Sequence, residues 1–91
     1  MLTGVTSSGF NYEITDDQLN NMELIDALTE FDDTESNGDK AIIISKVCRL
    51  MLGSKQKKAL YDHVREPEGN VPIEKVLAEV MSIIQNESIK N

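Results

Sequence analysis

His63 and Cys48 are the only histidine and cysteine in the sequence, and they are its best candidates for proton transfer or covalent chemistry. Nucleophilic catalysis needs a nucleophile, a base and a group that orients the base. No spacing around either residue supplies that set. Cys48 falls within an apolar helical stretch, where cysteine behaves as a small hydrophobe. His63 follows Asp62 near a helix end, where a charged imidazole is tolerated. The five glycines stand singly, so there is no glycine-rich phosphate loop. Asp33, Glu35, Asn37 and Gly38 resemble the opening of a calcium-binding EF-hand loop. However, Ile44 occupies the position of the bidentate glutamate, and Glu35 stands where Asp or Asn is usual. The sequence therefore predicts no catalytic residue, no metal and no cofactor: a protein that acts by binding and not as an enzyme.

Residues suited to binding fall into two groups. Lys55, Lys57 and Lys58 crowd the first turn of a helix, where positive charge opposes the helix dipole, a local cost that an acidic partner would explain. Phe10 and Tyr12 lie on one face of an alternating segment, which suits core closure or, as a strand edge, a partner. The net charge is −7, and all nine basic residues lie at Lys40 or beyond. Ten acidic residues precede Lys40, so that part carries −10; beyond it nine basic residues against six acidic leave +3. An acidic face of this kind steers basic partners, repels nucleic-acid phosphate, and favours weak homo-oligomers at low salt through opposite faces of two copies.

The elements that must position these residues are organised around 41–64, AIIISKVCRLMLGSKQKKALYDHV, which reads as two apolar helices meeting at Gly53 and Ser54. From Ile43 the apolar positions 43, 44, 47, 48, 50 and 51 keep helical spacing, and Ser45, Lys46 and Arg49 share one narrow stripe. Gly53 is expected at positive φ, closing one helix, with Ser54 capping the next. That join has the outline of a helix-turn-helix, but its tightness, the buried character of 41–52 and the acidic balance oppose DNA binding.

Ahead of this pair, residues 1–14 predict a short β-hairpin or extended arm, with Phe10, Tyr12 and Ile14 facing one way and Val5 pairing back across Ser7, Ser8 and Gly9. Thr15 and Gln18 form a capping box that opens a helix over 16–31, with Asp16 and Asp17 against its positive end. Thr6 has no comparable context and is expected to be dispensable. In that helix Leu19, Met22, Ile25, Leu28 and Phe31 recur every third residue. The run DDTESNGDK over 32–40 predicts a flexible polar connector. Helices over 40–52 and 55–65 follow, then a turn at Glu66, Pro67, Glu68 and Gly69. An amphipathic helix over 72–86 starts with Pro72 at its first position, and a frayed tail covers 87–91.

The whole is a mainly α, four-helix small domain of 91 residues. One cysteine forbids an internal disulfide, no apolar run is long enough to span a membrane, and the first residues lack the pattern of a signal peptide. The expected location is the cytoplasm.

The order of segments is familiar: a Ser-Gly-Phe hairpin, DDQLNNMELIDAL, an acidic loop, then KVCRLMLGSKQKKALYDHVREPEGNVPIEKV and a terminal amphipathic helix. It resembles the tail assembly chaperones of long-tailed bacteriophages and prophages over residues 7–85. The most specific parts are Leu52-Gly53, Gln56-Lys57-Lys58, Leu60-Tyr61, the link Gly69-Asn70-Val71-Pro72, and Glu74-Lys75-Val76. The acidic loop is longer here than is usual in the group. The resemblance implies a non-enzymatic helper that coats the aggregation-prone tape measure protein in the bacterial cytoplasm until major tail protein polymerises around it. Such a helper then leaves and is not part of the mature virion. A frameshifted longer form is often made in such families. The rival expectation is an acidic regulatory or inhibitory protein-binding module.

Overall fold

Val5 pairs with Asn11, and the antiparallel register runs on to Leu2 opposite Ile14, so β1 (Leu2–Val5) and β2 (Asn11–Ile14) form a two-stranded hairpin. The computed structural model describes residues 1–87. The turn is closed by Thr6 N–H to Phe10 O (2.9 Å) and Gly9 N–H to Thr6 O (3.0 Å). Period-two alternation puts Phe10, Tyr12 and Ile14 inward and Asn11 and Glu13 outward. The Tyr12 ring lies over Gly4, its cross-strand partner, and leaves no room there for a side chain.

Among the described residues the hairpin is followed by four helices, so the domain is mainly α as expected. The helix expected over 16–31 is two. α1 (Asp16–Leu19) opens on the capping box, with Thr15 Oγ1 accepting from Gln18 N–H and Gln18 Oε1 accepting from Thr15 N–H. Asn20 closes α1, and the Asn21 side chain caps α2 (Met22–Asp33) by accepting from Glu23 N–H. The helix thus breaks at Asn20, whose backbone leaves the helical region while its N–H still bonds Asp16 O, and restarts at Asn21, whose short amide competes well for a backbone N–H at a helix start. A strict three-residue repeat also drifts about 60° per step around a helix of 3.6 residues per turn. Met22 and Ile25 accordingly face solvent, while Leu24, Ala27 and Leu28 are buried.

The connector expected over 32–40 shrinks to 34–36. Ser36 caps α3 (Asn37–Val64), accepting from Asp39 N–H, and Thr34 Oγ1 donates to Glu30 O at the end of α2. The segment resembling a calcium loop is therefore helix from Asn37 onward, and the helix expected from residue 40 starts three residues earlier. α3 kinks at Gly53, whose φ of 82° and ψ of 165° place it in a region that only glycine occupies readily. The arms 37–52 and 54–64 pack against the hairpin and α4 (Ile73–Glu87) through Val47, Cys48, Met51 and Leu60, each fully buried. Ser54 makes no capping bond among the described residues; the Gln56 amide takes the freed carbonyl of Leu52 instead, at 2.9 Å.

After α3 the chain turns through Glu66, Pro67, Glu68 and Gly69, closed by Gly69 N–H to Glu66 O at 2.9 Å. α4 buries Val76, Val80 and Ile83, with Leu77 and Ile84 partly covered. It runs one residue beyond the expected end, and the remainder of the tail expected to fray lies outside the described residues. No described helix is long and apolar enough to cross a membrane.

Candidate functional site

Phe10 and Tyr12, read as a partner-binding edge or core closure, are core: they are 7% and 2% exposed. The helical layer covers the inward face of the hairpin, on which both rings lie. The Tyr12 hydroxyl donates to Glu87 Oε2 at 2.5 Å and accepts from Asn86 Nδ2 at 3.3 Å. Burial, then the bond to Glu87, raises its pKa.

The three lysines do not act as one patch. Lys57 Nζ reaches back across the kink to Ser45 Oγ (2.9 Å), with its ammonium 5.6 Å from the Tyr61 ring centre, and so ties the two arms of α3 together. Lys58 pairs with Asp62 at 3.3 Å, and Arg65 pairs with the same carboxylate at 3.0 Å. Those two bonds, Arg65 first, hold the Asp62 carboxyl below its usual pKa. Lys55 is exposed. Arg49, Lys57, Lys58 and Arg65, with Ser54 and Tyr61, line a basic hollow of about 230 Å³ beside the kink.

Folding also brings together Ser8, His63 and Glu79, a cluster with no sequence signature. Ser8 Oγ lies 2.9 Å from His63 Nε2 and donates to Glu79 Oε2 at 2.7 Å. Thr6 Oγ1 donates to Glu79 Oε1 at 2.6 Å and accepts from Phe10 N–H at 3.1 Å. The Phe10 and His63 rings sit 5.5 Å apart, tilted by 50°. The residue types suggest a serine hydrolase, but the connectivity is different. In a triad the carboxylate orients the histidine and the serine proton points to the imidazole. Here the carboxylate takes the serine proton itself, so Ser8 accepts from the imidazole Nε2–H instead of being activated by it. The cluster seats the hairpin turn on α3 and α4. Thr6, expected to be dispensable, is 4% exposed and holds the buried Glu79.

The surface best suited to binding is lined by a different set of α4 residues. Phe31 of α2, Ala41 and Ile44 of α3, and Ile73 and Leu77 of α4 line an apolar hollow of about 200 Å³. Lys40 Nζ, 4.9 Å from the centre of the Phe31 ring, and Glu74 stand at its rim. A second hollow shares Ala41, Ile44 and Ile73 and continues to Tyr61 and Val71. Ile73 is 60% exposed between them, an outlay of apolar surface that folding does not require. The helical repeat of α4 did identify Ile73 as apolar, but nothing in its spacing distinguished it from the buried positions.

No protein-family model, curated protein or solved structure matches the chain.

Proposed function

We propose that the chain is a non-enzymatic tail assembly chaperone that binds and solubilises a phage tape measure protein in the bacterial cytoplasm and helps recruit major tail protein. The apolar groove that crosses Ile44 and Ile73 carries this reading. A chaperone for a long helical client needs apolar surface open to solvent, beside enough charge to keep the complex in solution. Ile42, Met22, Ile25 and Met81 are exposed as well, and so are all ten acidic residues of 1–39. The segments that carry the family resemblance also have structural work: Gly53 makes the kink, Gln56 and Lys57 bridge it, Leu60 fills the core, and 69–72 leads into α4.

The test is co-expression with the tape measure protein of a phage encoding this chain, reading the soluble yield of the client. Yield should rise with the native chain, fall with Ile73→Asp, and largely survive Lys55→Ala/Lys57→Ala/Lys58→Ala, because apolar anchors dominate interface energy while rim charges mainly set association rate. A client as insoluble with the chain as without it would sink the proposal. The ten exposed carboxylates of 1–39 favour one second reading, a regulatory module for a basic protein. That module would release its partner as salt rises, whereas an apolar contact would persist.

A further inference from the structure

The three hollows described above form one track. The first is apolar, the second shares Ala41, Ile44 and Ile73 with it, and Tyr61 lines both the second and the basic third. The track therefore changes character along its length, from Phe31 and Leu77 to Arg49 and Lys58. At its apolar end Lys40 and Glu74 offset each other. At the other end four cations gather, and Asp62 is the carboxylate bonded among them, to Lys58 and Arg65. The track is walled by helices and has no strand edge, so β-strand addition is not an option. An entering helix that inserts side chains is the mode that fits.

We infer that this track takes an amphipathic helix whose apolar face ends in a cluster of carboxylates, with its apolar side chains against Ile44 and Ile73 and its acidic end against Arg49, Lys57 and Lys58. This rests on the proposed reading of the groove as a client surface and adds the chemistry and direction of the bound segment. Polarity gives direction: a helix laid the other way would put its carboxylates beside Glu74 and leave the basic end facing apolar side chains. Tyr61 suits the junction, with a ring for the apolar neighbours and a hydroxyl for the polar ones.

The probe is a pair of synthetic helical peptides of about 14 residues, roughly 20 Å long, with leucines at helical spacing and either glutamates or lysines at one end. Each is titrated into the full isotope-labelled chain and followed by NMR. The acid-ended peptide should bind about tenfold more tightly at low salt, and the preference should shrink as salt rises. Shifts should fall at Ala41, Ser45, Tyr61, Val71 and Ile73. Arg49→Glu/Lys58→Glu should reverse the preference, and Ile73→Ser should weaken both peptides. All three positions are exposed, so thermal melts should match the native chain. Equal affinity for the two peptides overturns the inference, as do shifts centred on Ser8 and Glu79. So does self-association of the chain through this track that the acid-ended peptide fails to compete. A client solubilised by a chain with no peptide preference sinks the inference alone. A clear preference beside an unchanged client yield sinks the chaperone reading alone.

Discussion

Gln56 bonds the backbone of Glu13 twice. Its side-chain oxygen accepts from Glu13 N–H at 2.8 Å, and its amide nitrogen donates to Glu13 O at 2.6 Å. One side-chain amide thus takes the place that a peptide group of a third strand would hold on the outer edge of β2. The same nitrogen donates to Leu52 O, so the strand edge and the helix kink share one residue. Unpaired strand edges invite pairing with other chains, and a two-stranded hairpin is marginal without further support.

Removing that amide should therefore weaken the fold and expose the edge. Gln56→Ala is expected to cost about 0.5–1.5 kcal/mol in urea denaturation, the net worth of hydrogen bonds whose backbone partners water can reach. Gln56→Glu keeps the acceptor for Glu13 N–H but loses both donor bonds and sets a carboxylate beside Glu13, so it should do no better. Native stability in Gln56→Ala would mean that water replaces these bonds without loss.

At Gly53 the strain lies in the backbone. Gly53→Ala should cost about 1–3 kcal/mol because L residues rarely adopt its φ and ψ. An added Cβ would also sit 3.3 Å from Gln18 Nε2, a tight but movable contact. Because Gln18→Ala alone also loses its half of the Thr15 capping box, the double variant is read against that single variant, and relative to it the cost of Gly53→Ala should be little changed. Full recovery in the double variant would assign the cost to crowding and not to conformation.

Thr6 and Glu79 should be energetically coupled. Thr6→Val removes both the donor to Glu79 and the acceptor for Phe10 N–H, and Glu79→Gln replaces the acceptor carboxylate with an amide. Each single change should destabilise, and a double-mutant cycle should give a coupling of about 0.5–3 kcal/mol. Additive losses would show that the Thr6–Glu79 bond adds nothing to the seating of the hairpin turn.

Cys48 should be silent to thiol reagents in the native state. Burial pushes its thiol up to about 12 from the ordinary value of 9.0. Its folded pKa is raised, so its contribution to stability is fully present below pH 9.0 and is lost as pH rises toward about 12. Labelling at neutral pH should follow the rate of unfolding as denaturant is added, and Cys48→Ala should flatten the alkaline fall in stability. Rapid labelling of the native chain would contradict this burial.

What the sequence made legible was local. Thr15 and Gln18 are three residues apart, and their reciprocal cap can be read directly; Gly53 after a long apolar helix announces a break in the same way. Asn20 and Asn21 were legible in principle, since either can end or start a helix, but an uninterrupted count of apolar residues across them hid the break. Ser36 likewise capped a helix from within a run that read as loop. The Ser8, His63 and Glu79 cluster and the Gln56 clamp join residues 43 to 71 positions apart or more. Such polar partners follow from how the hairpin lies on the helices, and no short spacing records that.

The hairpin is tied chiefly to the final helix: Thr6 and Ser8 to Glu79, Ser7 to Ser82, Val5 O to Asn86 and Tyr12 to Glu87. Each of these bonds closes a loop of 71 to 81 residues. On a ribosome adding about 5–20 residues per second, the hairpin is made seconds before its anchors exist. Until then Phe10, Tyr12 and Ile14 have no complete cover, and closing so long a loop is entropically slow. The core consequently seals in one late step. A chain halted before α4 should remain a loose helical intermediate with an uncovered hairpin, dependent on what the cell supplies to keep it apart from its neighbours.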